Sequence, residues 1–308
     1  MRYVYGPVPS RRLGFSLGVD LVPFKTCSLD CIYCQLGRTK QKTIERKSHA
    51  PIADVIKEIR KVLKLTHQIH YITFSGSGEP TLNSDIGALI KEVKALTSLP
   101  VAVLTNGTLL FMEDVQKDLL NADVVIPSLD AASPKVFKRV NRPHHSLKIE
   151  TIIDGLKEFR KRYNGSVWLE VMLVKDYNND AEELLRMRNA ISEIQPDRVH
   201  LNTVIRPPSE LFAKPLSREE MAAAKTILGE NCEIVAGFHG HREGEALNVE
   251  DSIVEMAKRR PVTVVDIANV LGVSETNAEH MIRGLIQKNR IEKKQYHNET
   301  YYLCRTAK

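Results

Sequence analysis

The stretch Cys27-Ser28-Leu29-Asp30-Cys31-Ile32-Tyr33-Cys34 places three of the chain's five cysteines within eight residues, directly after the apolar, β-branched run at residues 16–24. Thiols with three and then two residues between them form a metal-ligand pattern. An odd cysteine count, with Cys232 and Cys304 remote from the triplet, argues against a disulfide framework. Structural zinc requires four ligands, so Cys232 or a histidine would have to complete the local three. A four-cysteine electron-transfer cluster meets the same shortage. A three-cysteine [4Fe-4S] cluster leaves one iron without a protein ligand, which is useful only where a cofactor or substrate binds it. Lys25, Asp30 and Gln35 flank or lie within the loop and are poor neighbours for three unrelated core cysteines.

Outward from this loop, apolar runs alternate with amphipathic stretches. Strands are expected at residues 16–24, 70–75, 101–105, 123–128, 167–174 and 198–203. Val55, Ile59 and Val62 recur at helical spacing, as do Ile86, Leu89 and Val93, and further helices are expected at 113–120, 149–163, 180–194 and 218–228. Apolar strands separated by helices predict a parallel sheet with right-handed crossovers, and six β-α units suit an incomplete barrel or an open sheet. The polar, glycine-rich segment 237–249 reads as a linker or lid, dividing a unit at 1–236 from one at 250–308. In the latter, helices are expected at 253–258, 263–270 and 275–288, with Gly272 turning and Ser274 capping, then a hairpin of 290–294 with 300–304. That is the winged-helix order.

Composition places the chain among ordinary globular proteins. It has 308 residues, 43% of them hydrophobic and 27% charged, and 44 basic against 38 acidic side chains leave a net charge of +6. With neither a long apolar run nor an apolar leader, a cytoplasmic protein with no membrane partner is expected. The mild positive charge permits an anionic partner without requiring nucleic acid. Residues 249–308 carry ten Lys/Arg against eight acids, and Glu275 and Glu279 open the would-be recognition helix. Acids there oppose phosphate contact, which argues against duplex DNA and leaves a protein or RNA substrate as the expected cargo of a winged helix.

The Cys27–Cys31–Cys34 spacing with Tyr33 before the last cysteine resembles the cluster loop of the radical S-adenosylmethionine (radical SAM) enzymes, which likewise follows a first strand. Ser77-Gly78-Glu79-Pro80 ends the second strand where the family has Gly-Gly-Glu-Pro holding the methionine amino group, with serine replacing the first glycine. Thr105-Asn106-Gly107 and Ser128-Leu129-Asp130 end the third and fourth strands, at positions that line the family's cofactor or substrate cavity. Glu170 and Asn202 fall near later strand ends, where they would touch the ribose or methionine carboxylate or merely bond the strand. The resemblance implies a partial (β/α)6 TIM-like barrel whose strand ends collect the ligands. It implies a [4Fe-4S] cluster on Cys27, Cys31 and Cys34. S-adenosyl-L-methionine would contact Tyr33, Ser77, Gly78, Glu79, Thr105, Asn106, Ser128, Asp130, Glu170 and Asn202.

By the same resemblance, an external low-potential donor reduces the cluster, SAM is cleaved, and the 5′-deoxyadenosyl radical abstracts a substrate hydrogen, an oxidoreductase chemistry. Val136–Val140 with Asn141-Arg142-Pro143-His144, Glu170–Lys175 with Asn178-Asn179-Asp180, Leu201-Asn202-Thr203 and Arg206–Glu210 resemble the subgroup that includes the wyosine-forming tRNA-modifying enzymes. A protein, an RNA or an anionic metabolite would then be substrate. The competing readings are an iron–sulfur redox-sensing DNA-binding regulator, a glycyl-radical enzyme activase and a zinc-stabilised binding protein. The segment 141–145 would grip an anion or form a solvated loop; His239 and His241 read as loop residues, and Cys232 and Cys304 as buried thiols.

Overall fold

The computed structural model describes residues 1–10, 12–66, 68–235, 249–297 and 299–305. The strands of the first part are β1 (Val4–Ser10), β2 (Gly14–Val19), β3 (Thr26–Cys27), β4 (Gln41–Lys42), β5 (Tyr71–Phe74), β6 (Val101–Thr105), β7 (Val124–Pro127), β8 (Ser166–Leu173), β9 (Arg198–Thr203) and β10 (Cys232–Ile234). Its helices are α1 (Ile52–Leu63), α2 (Ile86–Leu96), α3 (Glu113–Leu119), α4 (Pro134–Val140), α5 (Ile149–Arg162), α6 (Ala181–Ile194) and α7 (Arg218–Leu228). One sheet runs β1-β2-β5-β6-β7-β8-β9-β10, antiparallel only between β1 and β2. Its two ends do not pair, so it is an open, mostly parallel α/β sheet.

The periodicity has its expected cause. Val55, Ile56, Ile59 and Val62 form the buried stripe of α1, and all four residues of β7 are buried because helices cover one face and the sheet's own interior the other. All six expected strands are present. β1 is an addition that the residue pattern hid, because Gly6, Pro7 and Pro9 interrupt it; an edge strand tolerates proline. Helix α4 is likewise an addition, started by Ser133, whose side chain accepts from the Val136 amide, with Pro134 in the first turn.

The C-terminal part comprises α8 (Val249–Arg259), α9 (Val264–Leu271), α10 (Glu275–Gln287) and an antiparallel ribbon of β11 (Ile291–Tyr296) with β12 (Glu299–Cys304). Gly272 at φ +65° ends α9, and Ser274 caps α10 by accepting from the Asn277 amide. Ile253, Ile267, Ala278, Ile282 and Leu285 form a core separate from that of the sheet. The expected linker lies outside the described residues up to residue 248, as do His239 and His241. Cys232 is buried, whereas Cys304, expected to be buried, is only half-covered near the chain end.

Buried contacts nevertheless cross between the two parts. α8 and α9 pack against β1, and Val8 joins the C-terminal core. The Arg259 guanidinium pairs with Asp20 at 3.2 Å, both side chains 7% exposed, and lies over the Tyr5 ring. Tyr301 donates to the Ile205 carbonyl at 2.8 Å. The physical reason is the edge: β1 is the sheet's open flank, and the C-terminal helices cover it. Among the described residues, no helix is long and apolar enough to cross a membrane.

Candidate functional site

β2 delivers the chain into the cysteine loop, and the short β3–β4 pairing closes it at its base. Each thiol meets an N–H donor. Cys27 Sγ accepts from the Leu29 amide and from Asn106 Nδ2, both at 3.5 Å. Cys31 Sγ accepts from Asn141 Nδ2 at 3.4 Å. Cys34 Sγ accepts from Lys25 Nζ at 3.1 Å, and that lysine is 3% exposed. Burial, followed by the charge of Glu79, pushes the Cys27 thiol up to about 12, and burial with nearby Asp130 pushes Cys31 well above the ordinary thiol range. A bound cation reverses that preference and makes the thiolates the favoured form. Among the described residues, no three His, Cys, Asp or Glu side chains converge as ligands of a single ion. A cube differs from a single ion in spreading three thiolates over three irons, and a loop of three thiols, each with an N–H donor to soften its negative charge, fits that demand.

The Ser77–Pro80 segment packs against this loop. Gly78 is required there because a Cβ would stand 2.0 Å from the Thr26 carbonyl oxygen. Ser77 donates through its amide and hydroxyl to Asp20 at 3.1 and 2.5 Å. Glu79 is 2% exposed and its carboxylate is fully engaged. It accepts from the Thr81 amide at 3.0 Å, the Thr81 hydroxyl at 2.7 Å, the Thr105 hydroxyl at 2.6 Å and the Asn106 amide at 2.7 Å. Burial raises its pKa against the lowering effect of these bonds. Asn106 continues the chain of contacts, donating to Ser28 Oγ at 2.8 Å as well as to Cys27. Glu79 therefore ties the second and third strand ends to the cysteine loop.

Asp130 is 4% exposed and accepts from the Tyr33 hydroxyl, from Asn141 Nδ2 at 2.7 Å and from the Met172 amide at 2.9 Å. Burial lifts its pKa to about 6. Asn202 donates to Glu170 at 2.7 Å, and Glu170 also forms an ion pair with Arg12. A cavity of about 310 Å³ gathers Tyr33, Cys34, Gly76, Glu170, Asn202 and Arg206. Of the expected site residues, Tyr33, Glu170 and Asn202 thus share a cavity with a cysteine, while Glu79 and Thr105 are buried behind it. Ser128 instead lines a recess of about 10 Å³ with Asn106 and Asp130, too small for more than a water. Arg142 does not face a free anion site: it is bound to Glu210 at 2.6 Å, and Arg38 reaches the same carboxylate at 2.7 Å. The roles of Lys25, Asn141 and Arg12 were not legible, because no local pattern marks a donor reaching a sulfur or carboxylate across the fold.

The radical SAM superfamily model matches residues 21–188, more than half of the chain, including the cysteine loop, Glu79, Asp130 and Glu170. The chain belongs to the radical SAM superfamily. The cofactors of this radical SAM protein are those of the family, a [4Fe-4S] cluster and S-adenosyl-L-methionine. A UPF0026 protein of Methanocaldococcus jannaschii is 35% identical, with 98% of this chain and 96% of that one covered. A protein named GTPase Obg, from Brachyspira hyodysenteriae, is 40% identical over 94% of this chain, which spans only 43% of that protein's length. A radical SAM methyltransferase from Sphaerobacter thermophilus superposes with a TM-score of 0.55 at 16% identity, covering 71% of this chain and 65% of its own, a likeness of fold.

Proposed function

We propose that this radical SAM protein is an enzyme that holds the cluster on Cys27, Cys31 and Cys34 and binds SAM between that loop and the strand ends, for hydrogen abstraction from a substrate lodged beside them. The observation that carries this reading is the cavity that unites Cys34 and Tyr33 with Glu170 and Asn202, on strands far from the cysteine loop in sequence. When bound, the cluster and SAM together supply a carbon radical. The protein's own contribution is placement. Glu79 holds Thr81, Thr105 and the Asn106 amide in one arrangement, Asp130 fixes Tyr33 beside Cys34, and the buried rim keeps water from the reacting atoms. An external low-potential donor supplies electrons. Anaerobic reconstitution, followed by a search for 5′-deoxyadenosine after dithionite reduction, tests the reading; reconstituted protein that forms none overturns it.

The C-terminal helices and ribbon are read as a winged helix. Glu275 and Glu279 are exposed at the start and on the outer face of α10, which disfavours duplex DNA as its partner. The contacts of α8 with β1 favour a role beside the sheet over that of a tethered reader.

Two outcomes test the placement. Glu79→Ala leaves buried donors from Thr81, Thr105 and Asn106 unpaired, each costing about 1–3 kcal/mol. SAM affinity, measured by equilibrium binding to reconstituted protein, should fall about tenfold or more; unchanged affinity would place SAM elsewhere. Lys25→Met removes a buried positive charge 3.1 Å from Cys34 Sγ. An anaerobic redox titration should find the cluster potential moved to more negative values, since positive charge and N–H donors favour the reduced cluster; an unmoved potential would exclude this tuning role.

A further inference from the structure

A second cavity, of about 280 Å³, lies between Ser16 of β2, Thr73 of β5 and the C-terminal end of α8. Four guanidinium side chains line it, those of Arg12, Arg206, Arg259 and Arg260, and none of the described lining residues is acidic. Two of these cations have their own carboxylates: Arg12 pairs with Glu170, and Arg259 with Asp20 and Glu255. Arg206 and Arg260 both approach Asp266. Asp266 stands 3.8 Å from Arg206 and 3.6 Å from Arg260, beyond hydrogen-bond reach of either, and accepts instead from the Thr263 amide at 3.2 Å. Arg260 accordingly buries Nε and Nη2 without a hydrogen-bond acceptor. A buried guanidinium donor without an acceptor is costly, and its planar fork matches the oxygens of a carboxylate or phosphate.

We infer that this cavity binds a small anionic metabolite through a carboxylate or phosphate group held by Arg260 and Arg206. The site deepens the enzyme reading above, on which its identification as a substrate site rests. The two cavities share Arg12, Gln35, Gly76 and Arg206, and the first of them, that of about 310 Å³, reaches Cys34. A molecule anchored by its anionic end at Arg260 therefore extends toward the cysteine loop. The volume suits a small ligand, and the wall of Met256, Arg259 and Arg260 makes the C-terminal part a component of the substrate site.

Calorimetric titration of the full chain without cluster or SAM, at constant ionic strength, tests this with inorganic phosphate and succinate as probes. At least one should bind saturably, and Arg260→Gln and Arg206→Gln should each weaken it about tenfold. Arg283→Gln, at an exposed position on α10, should leave it unchanged. Should either glutamine variant misfold, Arg260→Lys keeps the charge without the fork and should show a measurable loss with unchanged circular dichroism. Binding indifferent to all three cavity variants, or binding of neither probe, overturns the proposal, as does a bulk tRNA preparation binding with the small anions inert. Because no cluster is present, the titration stands or falls separately from the cofactor assignment; Cys34→Ala should still bind the anion.

Discussion

Alanine at Cys27, Cys31 or Cys34, one at a time, abolishes iron retention, whereas alanine at Cys232 or Cys304 leaves about four irons per chain after anaerobic reconstitution. The contrast follows from position. The three loop thiols lie together, each beside its own N–H donor, so losing one removes both a ligand and the closure of the site. Cys232 is sealed at the start of the last parallel strand, paired with Val199, and Cys304 lies at the end of the C-terminal ribbon. Iron and acid-labile sulfide analysis with the visible absorption spectrum checks this. Stoichiometric zinc without iron, or a cluster that survives Cys31→Ala, would contradict the assignment.

The second large effect is on stability. Arg259→Leu leaves Asp20 buried, and removing one partner of a buried pair costs about 3–5 kcal/mol. Asp20 keeps its two bonds from Ser77, so the strain falls on the segment that also carries Gly78 and Glu79. Urea denaturation should show the midpoint lowered accordingly, and reconstituted Arg259→Leu should bind SAM more weakly than the parent. A midpoint within experimental error of the parent would mean that the two parts of the chain are energetically independent. Ending the chain near residue 245 would remove the same contact and uncover β1, so the shortened protein is expected to be less stable than the full chain.

Much of the fold was legible because its signals are local. The stripe Val55, Ile59, Val62 and the apolar runs of β5 to β9 follow from periods of 3.6 and of buried strands, which act within a few residues. β1 escaped because Gly6, Pro7 and Pro9 obscure a strand that only its place at the sheet edge permits. Glu79 was legible as a key residue, whereas its bonds from Thr105 and the Asn106 amide were not, because those donors stand on another strand end.

By itself the sequence determined the α/β repeat, the three-thiol loop and the family, because eight contiguous residues and the strand-end motifs carry that chemistry wherever the chain folds. Tertiary structure alone decided which donors face the thiols, that Arg259 reaches Asp20 across 239 positions, and that two arginines share Asp266 beside a cavity. Such pairings depend on which distant segments the sheet order and the covered edge bring together, and a charge in a sequence does not state its partner.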